Sequence, residues 1–162
     1  FTLVKSFKLV KDQIKNSKLI FVGEGPQKEN LKNTCEKLGI SDAVTFTGWL
    51  TNFNYYLRDS LIGYNVSKFE PFGCNGLEYA LSGVIPLLGI KNGNAEILNN
   101  KRIICNPEDY KEIAKLMIEL IKLEEEEKKS LVKALKEKSL NYTQEKQVVL
   151  FKKKYEELID AI

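Results

Sequence analysis

The sequence predicts an α/β fold: a Rossmann-like, doubly wound parallel sheet followed by carboxy-terminal helices. Three observations predict it. Short apolar runs at residues 19–22, 42–47, 61–66, 84–88 and 102–105 alternate with segments whose apolar residues recur at helical spacing, the pattern of repeated β-α-β units. The runs at 61–66 and 84–88 are apolar and partly β-branched, as strands covered on both faces are. Beyond Cys105 the pattern is helical to the end.

The elements follow in order. A helix opens the chain with Leu3, Phe7, Val10 and Ile14 on one side, and it begins at Phe1 without a cap, so residues 1–162 read as a single domain truncated at its amino end. After the strand at 19–22, the turn Gly23-Glu24-Gly25-Pro26 leads into a helix with Leu31, Cys35 and Leu38 inward and Gly39 past its end. The strand at 42–47 ends in Gly48-Trp49-Leu50, and a short helix is expected at 52–58. The strand at 61–66 is followed by the loop Glu70-Pro71-Phe72-Gly73, a helix at 76–81 stopped by Ser82-Gly83, and the strand at 84–88. A polar turn at 91–94, a short helix at 95–98 and the strand at 102–105 come next. Asn106-Pro107 should cap and start a helix with Ile113, Leu116, Met117, Leu120 and Ile121 inward. A charged helix near 124–140 follows, then one capped by Thr143 whose inward face would be Val148, Phe151, Tyr155, Leu158 and Ile162.

Composition narrows the chemistry. The chain has 162 residues, 43% of them hydrophobic, enough for one sizeable core. Its net charge of +3 is too mild to imply nucleic acid without a localised patch. The lysines at 5, 8, 11, 15 and 18 are either a solvated helix face or a contact with phosphates or a membrane surface. The chain has no histidine, which excludes a Ser-His-Asp site, a Cys-His nucleophile and a His-rich zinc site within these residues. Cys35, Cys74 and Cys105 are few, odd in number and widely spaced, which fits a reducing compartment. With no spanning apolar run and no signal-peptide profile, a cytoplasmic setting is expected.

The chemistry centres on residues 60–88. In a strand-loop-helix-strand unit, ligands sit at the strand's carboxyl end beside the helix amino end, where unpaired N–H groups favour an anion. Glu70 and Glu78 frame that place. A carboxylate suits a vicinal diol, accepting from two neighbouring O–H groups, so Glu78 could hold a ribose. Its plainer alternative is a surface acid complementing the helix dipole. The turn at Gly23 and Gly25 is either an ordinary βα turn or part of the site's lining. Trp49 either packs at a loop or meets a flat base.

These motifs in this order resemble the carboxy-terminal donor-binding domain of retaining glycosyltransferases of the GT-B fold, the group 1 or family 4 type. The resemblance rests on Glu70-Pro71-Phe72-Gly73, Glu78 eight residues after Glu70, Ala80, Ser82-Gly83, Ile85-Pro86 and Asn92-Gly93-Asn94-Ala95-Glu96-Ile97, and it runs to about Tyr110. It implies that Glu70 lies beside the transferred sugar as the catalytic acid residue and that Glu78 binds the ribose of a UDP- or GDP-linked sugar. It further implies that Phe72, Gly73 and Cys74 contact the sugar and diphosphate, that Gly48, Trp49 and Leu50 lie beside the base, and that Gly23 and Gly25 lie near the diphosphate. No metal and no cofactor are expected on this resemblance. The activity implied is transfer of a hexose or related sugar to a glycan or lipid-linked acceptor. The acceptor domain and the basic diphosphate-binding residues would lie upstream, so the fragment alone is expected to be inactive. Any membrane contact, at the inner face, would come through that missing half. Two other readings stay open: a sugar-nucleotide epimerase and a non-catalytic GT-B-like scaffold domain. The sequence also departs from the family pattern at Cys74-Asn75-Gly76, usually bulkier and apolar, and at Gly89-Ile90-Lys91.

Overall fold

The computed structural model describes residues 1–160. Along the chain lie α1 (Thr2–Gln13), β1 (Leu19–Phe21), α2 (Lys28–Lys37), β2 (Val44–Phe46), α3 (Asn54–Arg58), β3 (Ile62–Asn65) and α4 (Asn75–Leu81). They are followed by β4 (Ile85–Gly89), α5 (Gly93–Leu98), β5 (Ile104–Cys105), α6 (Tyr110–Lys122), α7 (Glu125–Ser139) and α8 (Gln144–Ile159). All strand pairing within the sheets is parallel, in two pieces: β1 beside β2, and β3-β4-β5 with β4 in the middle. The expected α/β architecture holds, with strands shorter than the apolar runs that announce them. At 41–43 and 101–103 a turn of 3-10 helix precedes the strand instead of extending it.

The strand β4 is the centre of the core. All five of its residues are buried, and Ile85, Leu87 and Leu88 are wholly inaccessible. Fully burying one such side chain contributes about 1.5–3 kcal/mol, so this strand anchors the loops that leave its end. Pro86 sits in it without breaking a ladder. Ile85 N–H donates to Leu61 O at 2.9 Å, on the β3 side, so the residue after it faces β5. There β5 does not begin to pair until Leu88, and the N–H that Pro86 lacks has no acceptor to miss.

One cluster of buried residues joins α1, α2, β4, β5 and α6 through Val4, Phe7, Val10, Cys35, Leu87, Cys105 and Ile113. A second, built from Leu77, Ala80, Leu88, Leu98, Ile103, Leu131 and Leu135, covers the other face with α4, α5 and α7. Helices thus cover both faces, as the doubly wound reading requires. Burial also pushes the Cys105 thiol up to about 12 and raises that of Cys35; all three cysteines are free.

Two expectations fail. The cap of α6 is Asp109, whose Oδ1 accepts from Lys111 N–H at 2.9 Å and Glu112 N–H at 3.0 Å. Asn106 instead accepts from Glu108 N–H in a turn of its own, three residues ahead of that cap. The last helix forms where expected, but its apolar stripe is not inward: Val148, Phe151, Tyr155 and Leu158 are all exposed, and Ile162 lies outside the described residues. Spacing made the stripe; nothing among the described residues packs onto it. No described helix is long and apolar enough to cross a membrane.

Candidate functional site

At the carboxyl ends of the parallel strands, two loop junctions form. In the first, an isolated bridge joins Gly23 to Gly48, with Gly23 N–H donating to Gly48 O at 2.8 Å. Both glycines have positive φ, 117° and 74°, which the turn requires and which side chains disfavour. The Glu24 carboxylate lies against Gly48 and pairs with Lys28 at 2.8 Å. Gly25 is exposed in the turn, Leu50 is half-buried, and Trp49 is 78% exposed. At that exposure little of the indole is covered by the described residues.

The second junction closes the exits of β3 and β4. Glu70 N–H donates to Lys91 O at 3.1 Å, and Gly93 N–H returns to Glu70 O at 3.0 Å. Asn92, buried, accepts Asn94 N–H at 2.9 Å to cap α5 and donates to Asn65 O at 3.2 Å. Asn94, also buried, donates its side-chain amide to the carbonyls of Phe72 and Gly73. The Glu70 side chain folds beside Gly73, whose positive φ of 61° lets the chain turn there.

The sequence-predicted residues therefore divide into two groups. Glu70, Phe72, Gly73 and Cys74 share one loop, with Glu78 exposed in the first turn of the helix that loop opens. Gly23, Gly25, Gly48, Trp49 and Leu50 gather at the β1 and β2 exits. Neither the Glu70 nor the Glu78 carboxylate has a hydrogen-bond or ion-pair partner among the described residues, a condition they share with several surface acids such as Glu36 and Glu137, so their place at the β3 exit is what sets them apart. The N–H groups of Gly73 and Cys74 likewise meet no acceptor among the described residues. Carboxylates for hydroxyls and amides for phosphate oxygens are thus both available at the end of β3.

The sequence reading counted Asn92 and Asn94 in a polar turn and in the family motif but gave neither side chain a role. Both were legible as a polar turn, but only the fold shows their side chains buried and reaching 27 and about 22 residues back along the chain. A signal was present in the pair itself: asparagines flanking a glycine before a helix can cap and bond backbone at once.

Residues 1–138 match the family model described as glycosyl transferases group 1. The chain belongs to that family. Over 61 residues it is 38% identical to the lipopolysaccharide core biosynthesis glycosyltransferase LpsD of Rhizobium meliloti, an alignment covering 38% of this group 1 chain and 18% of that protein. Its fold matches a glycosyltransferase from Rickettsia africae with a TM-score of 0.88 at 16% identity, covering 98% of this chain and 44% of that one. A second match is Anabaena HepE in complex with UDP, with a TM-score of 0.76 at 18% identity, covering 99% and 44%. These structures are GT-B relatives in fold, and this group 1 chain spans less than half of either.

Proposed function

We propose that this group 1 domain is the donor-binding half of a retaining glycosyltransferase of the family 4 type, moving a hexose from a UDP- or GDP-linked sugar to a glycan or lipid-linked acceptor. Glu70 lies beside the sugar, and Glu78 receives the two ribose hydroxyls in bidentate fashion. Gly23 and Gly25 pass near the diphosphate, and Gly48, Trp49 and Leu50 flank the base. A departing nucleoside diphosphate gains negative charge, and fixed N–H groups aimed at it stabilise that charge without reorganising. Gly73 and Cys74 supply such groups in this chain, with Phe72 shaping the loop. The reaction is proposed to need no metal or other cofactor. A second domain, holding the acceptor and basic diphosphate-binding residues, is proposed to complete the site, and membrane contact, at the inner face, to come through that domain in a cytoplasmic enzyme. The chain alone is then inactive.

The observation that carries this reading is the β3 exit loop, where a partnerless carboxylate and two partnerless N–H groups stand side by side. The test is thermal unfolding of the chain against UDP, GDP, ADP and CMP, with Glu78→Ala in parallel. A nucleotide at 100 times its dissociation constant adds about 2.7 kcal/mol, raising the midpoint by several degrees in a domain of this size. One nucleotide raising the midpoint in the wild type and not in Glu78→Ala supports the reading. Equal shifts in both proteins would remove Glu78 from the site, and no shift with any nucleotide at millimolar concentration would count against donor binding itself.

A further inference from the structure

We infer that Asn94 is a positioning residue that aims the Gly73 and Cys74 N–H groups outward at the donor's diphosphate, and that Gly76 is the matched vacancy that admits it. The inference rests on the donor-binding reading for its ligand and on the loop's own geometry for its mechanism.

The argument begins with the peptide plane. In a trans peptide the C=O and the following N–H point to opposite sides, and no cis bond occurs among the described residues. The Asn94 side-chain nitrogen holds the carbonyls of both Phe72 and Gly73. Those carbonyls share their peptide planes with Gly73 N–H and Cys74 N–H. Because Asn94 is completely buried, the carbonyls are drawn inward, and the two N–H groups face out. Without the amide, the same two carbonyls could turn to water and carry the N–H groups with them.

Two further observations show that the site is built for this amide. The Asn94 Oδ1 is buried without a hydrogen-bond partner, a cost that an apolar side chain of the same size would avoid. An asparagine kept there at that cost is explained by what its nitrogen does. A Cβ placed on Gly76 would lie 3.0 Å from Asn94 Cβ, 3.1 Å from Asn94 Cγ and 3.0 Å from Leu88 Cδ2, tighter than ordinary packing allows. Gly76 has an ordinary helical backbone, so space, not conformation, is what this glycine supplies.

The test exploits the difference between UDP and uridine, which lack nothing in common but the diphosphate. Amide chemical-shift titrations of the whole chain with each, for wild type, Asn94→Leu and Gly76→Ala, are read beside backbone 15N order parameters at Gly73 and Cys74 without nucleotide. Both variants should bind UDP about tenfold more weakly, bind uridine as before, and show lower order parameters at those two amides. A change that only loosened the fold would weaken both ligands alike. Equal losses for UDP and uridine, or no loss in either variant, overturn the inference and leave the donor reading standing. If the wild type binds neither ligand, the donor reading fails, and the order parameters decide: unaltered values at Gly73 and Cys74 in both variants overturn the inference, and lower values in both sustain the amide-holding role.

Discussion

The two strand pairs each end in one bridged pair of loop residues, Gly23 with Gly48 and Glu70 with Asn92, but the junctions are made of different material. The first is backbone against backbone, with two positive-φ glycines and exposed side chains around them. The second is backed by Asn92 and Asn94, both buried, and rests on the wholly inaccessible Leu88. A glycine junction leaves its neighbouring side chains free to vary with whatever they meet. An amide-backed junction fixes the backbone itself, which is what a site needs where charge develops and the donors must be set in advance.

The largest effect should come from under the second junction. Leu88→Ala removes a buried side chain that packs with Leu77, Ala80 and Leu98, and it should cost about 2–5 kcal/mol, read by denaturant unfolding. A cost below about 1 kcal/mol would mean that the junction does not rest on β4. The next effect separates the junctions directly. Gly93→Ala would drive a Cβ into the Pro71 carbonyl and to 3.2 Å from Phe72 Cα, both backbone, and should cost about 1–3 kcal/mol. Gly48→Ala meets only the Glu24 carboxylate, Oε1 at 2.8 Å and Cδ at 3.9 Å, the movable end of a side chain, so its cost is the left-handed backbone penalty of about 1–2 kcal/mol. The contrast sharpens in nucleotide binding: Gly93→Ala shifts the 70–74 loop and should weaken UDP, whereas Gly48→Ala at equal stability should weaken it less.

How much of this was legible beforehand differs between the same two regions. The alternation of apolar runs and helical spacing placed every strand and helix, and with them Glu70 in the loop after β3 and Glu78 in the first turn of α4. The Gly-rich turn at 23–26 and the pair at 48–49 were legible as turns because glycine at positive φ is a local property. The amide backing was not, since Asn94 acts on carbonyls about 22 residues away and sequence spacing carries no such distance. The cap of α6 was misplaced by three residues because both Asn106 and Asp109 accept N–H groups just ahead of them, and nothing local in the sequence says from which of the two turns the helix continues. The stripe on α8 shows the limit of periodicity: it says which residues share a face, not whether anything covers that face. Leu131 and Leu135 on α7 are buried, while Phe151 on α8 is 73% exposed.

The smallest stability effect and the most informative binding effect should coincide at Trp49. With 78% of its surface exposed, Trp49→Ala should change unfolding free energy by less than about 0.5 kcal/mol. If the indole stacks on the donor's base, the same substitution weakens uridine and UDP by equal factors, since both carry the base. Asn94→Leu should instead spare uridine and weaken UDP, since only UDP carries the diphosphate. Those two outcomes together would assign Trp49 to the base and the Asn94-backed loop to the phosphates. Equal behaviour of the two variants toward both ligands would erase that division, and a destabilised Trp49→Ala would show the indole packed rather than waiting.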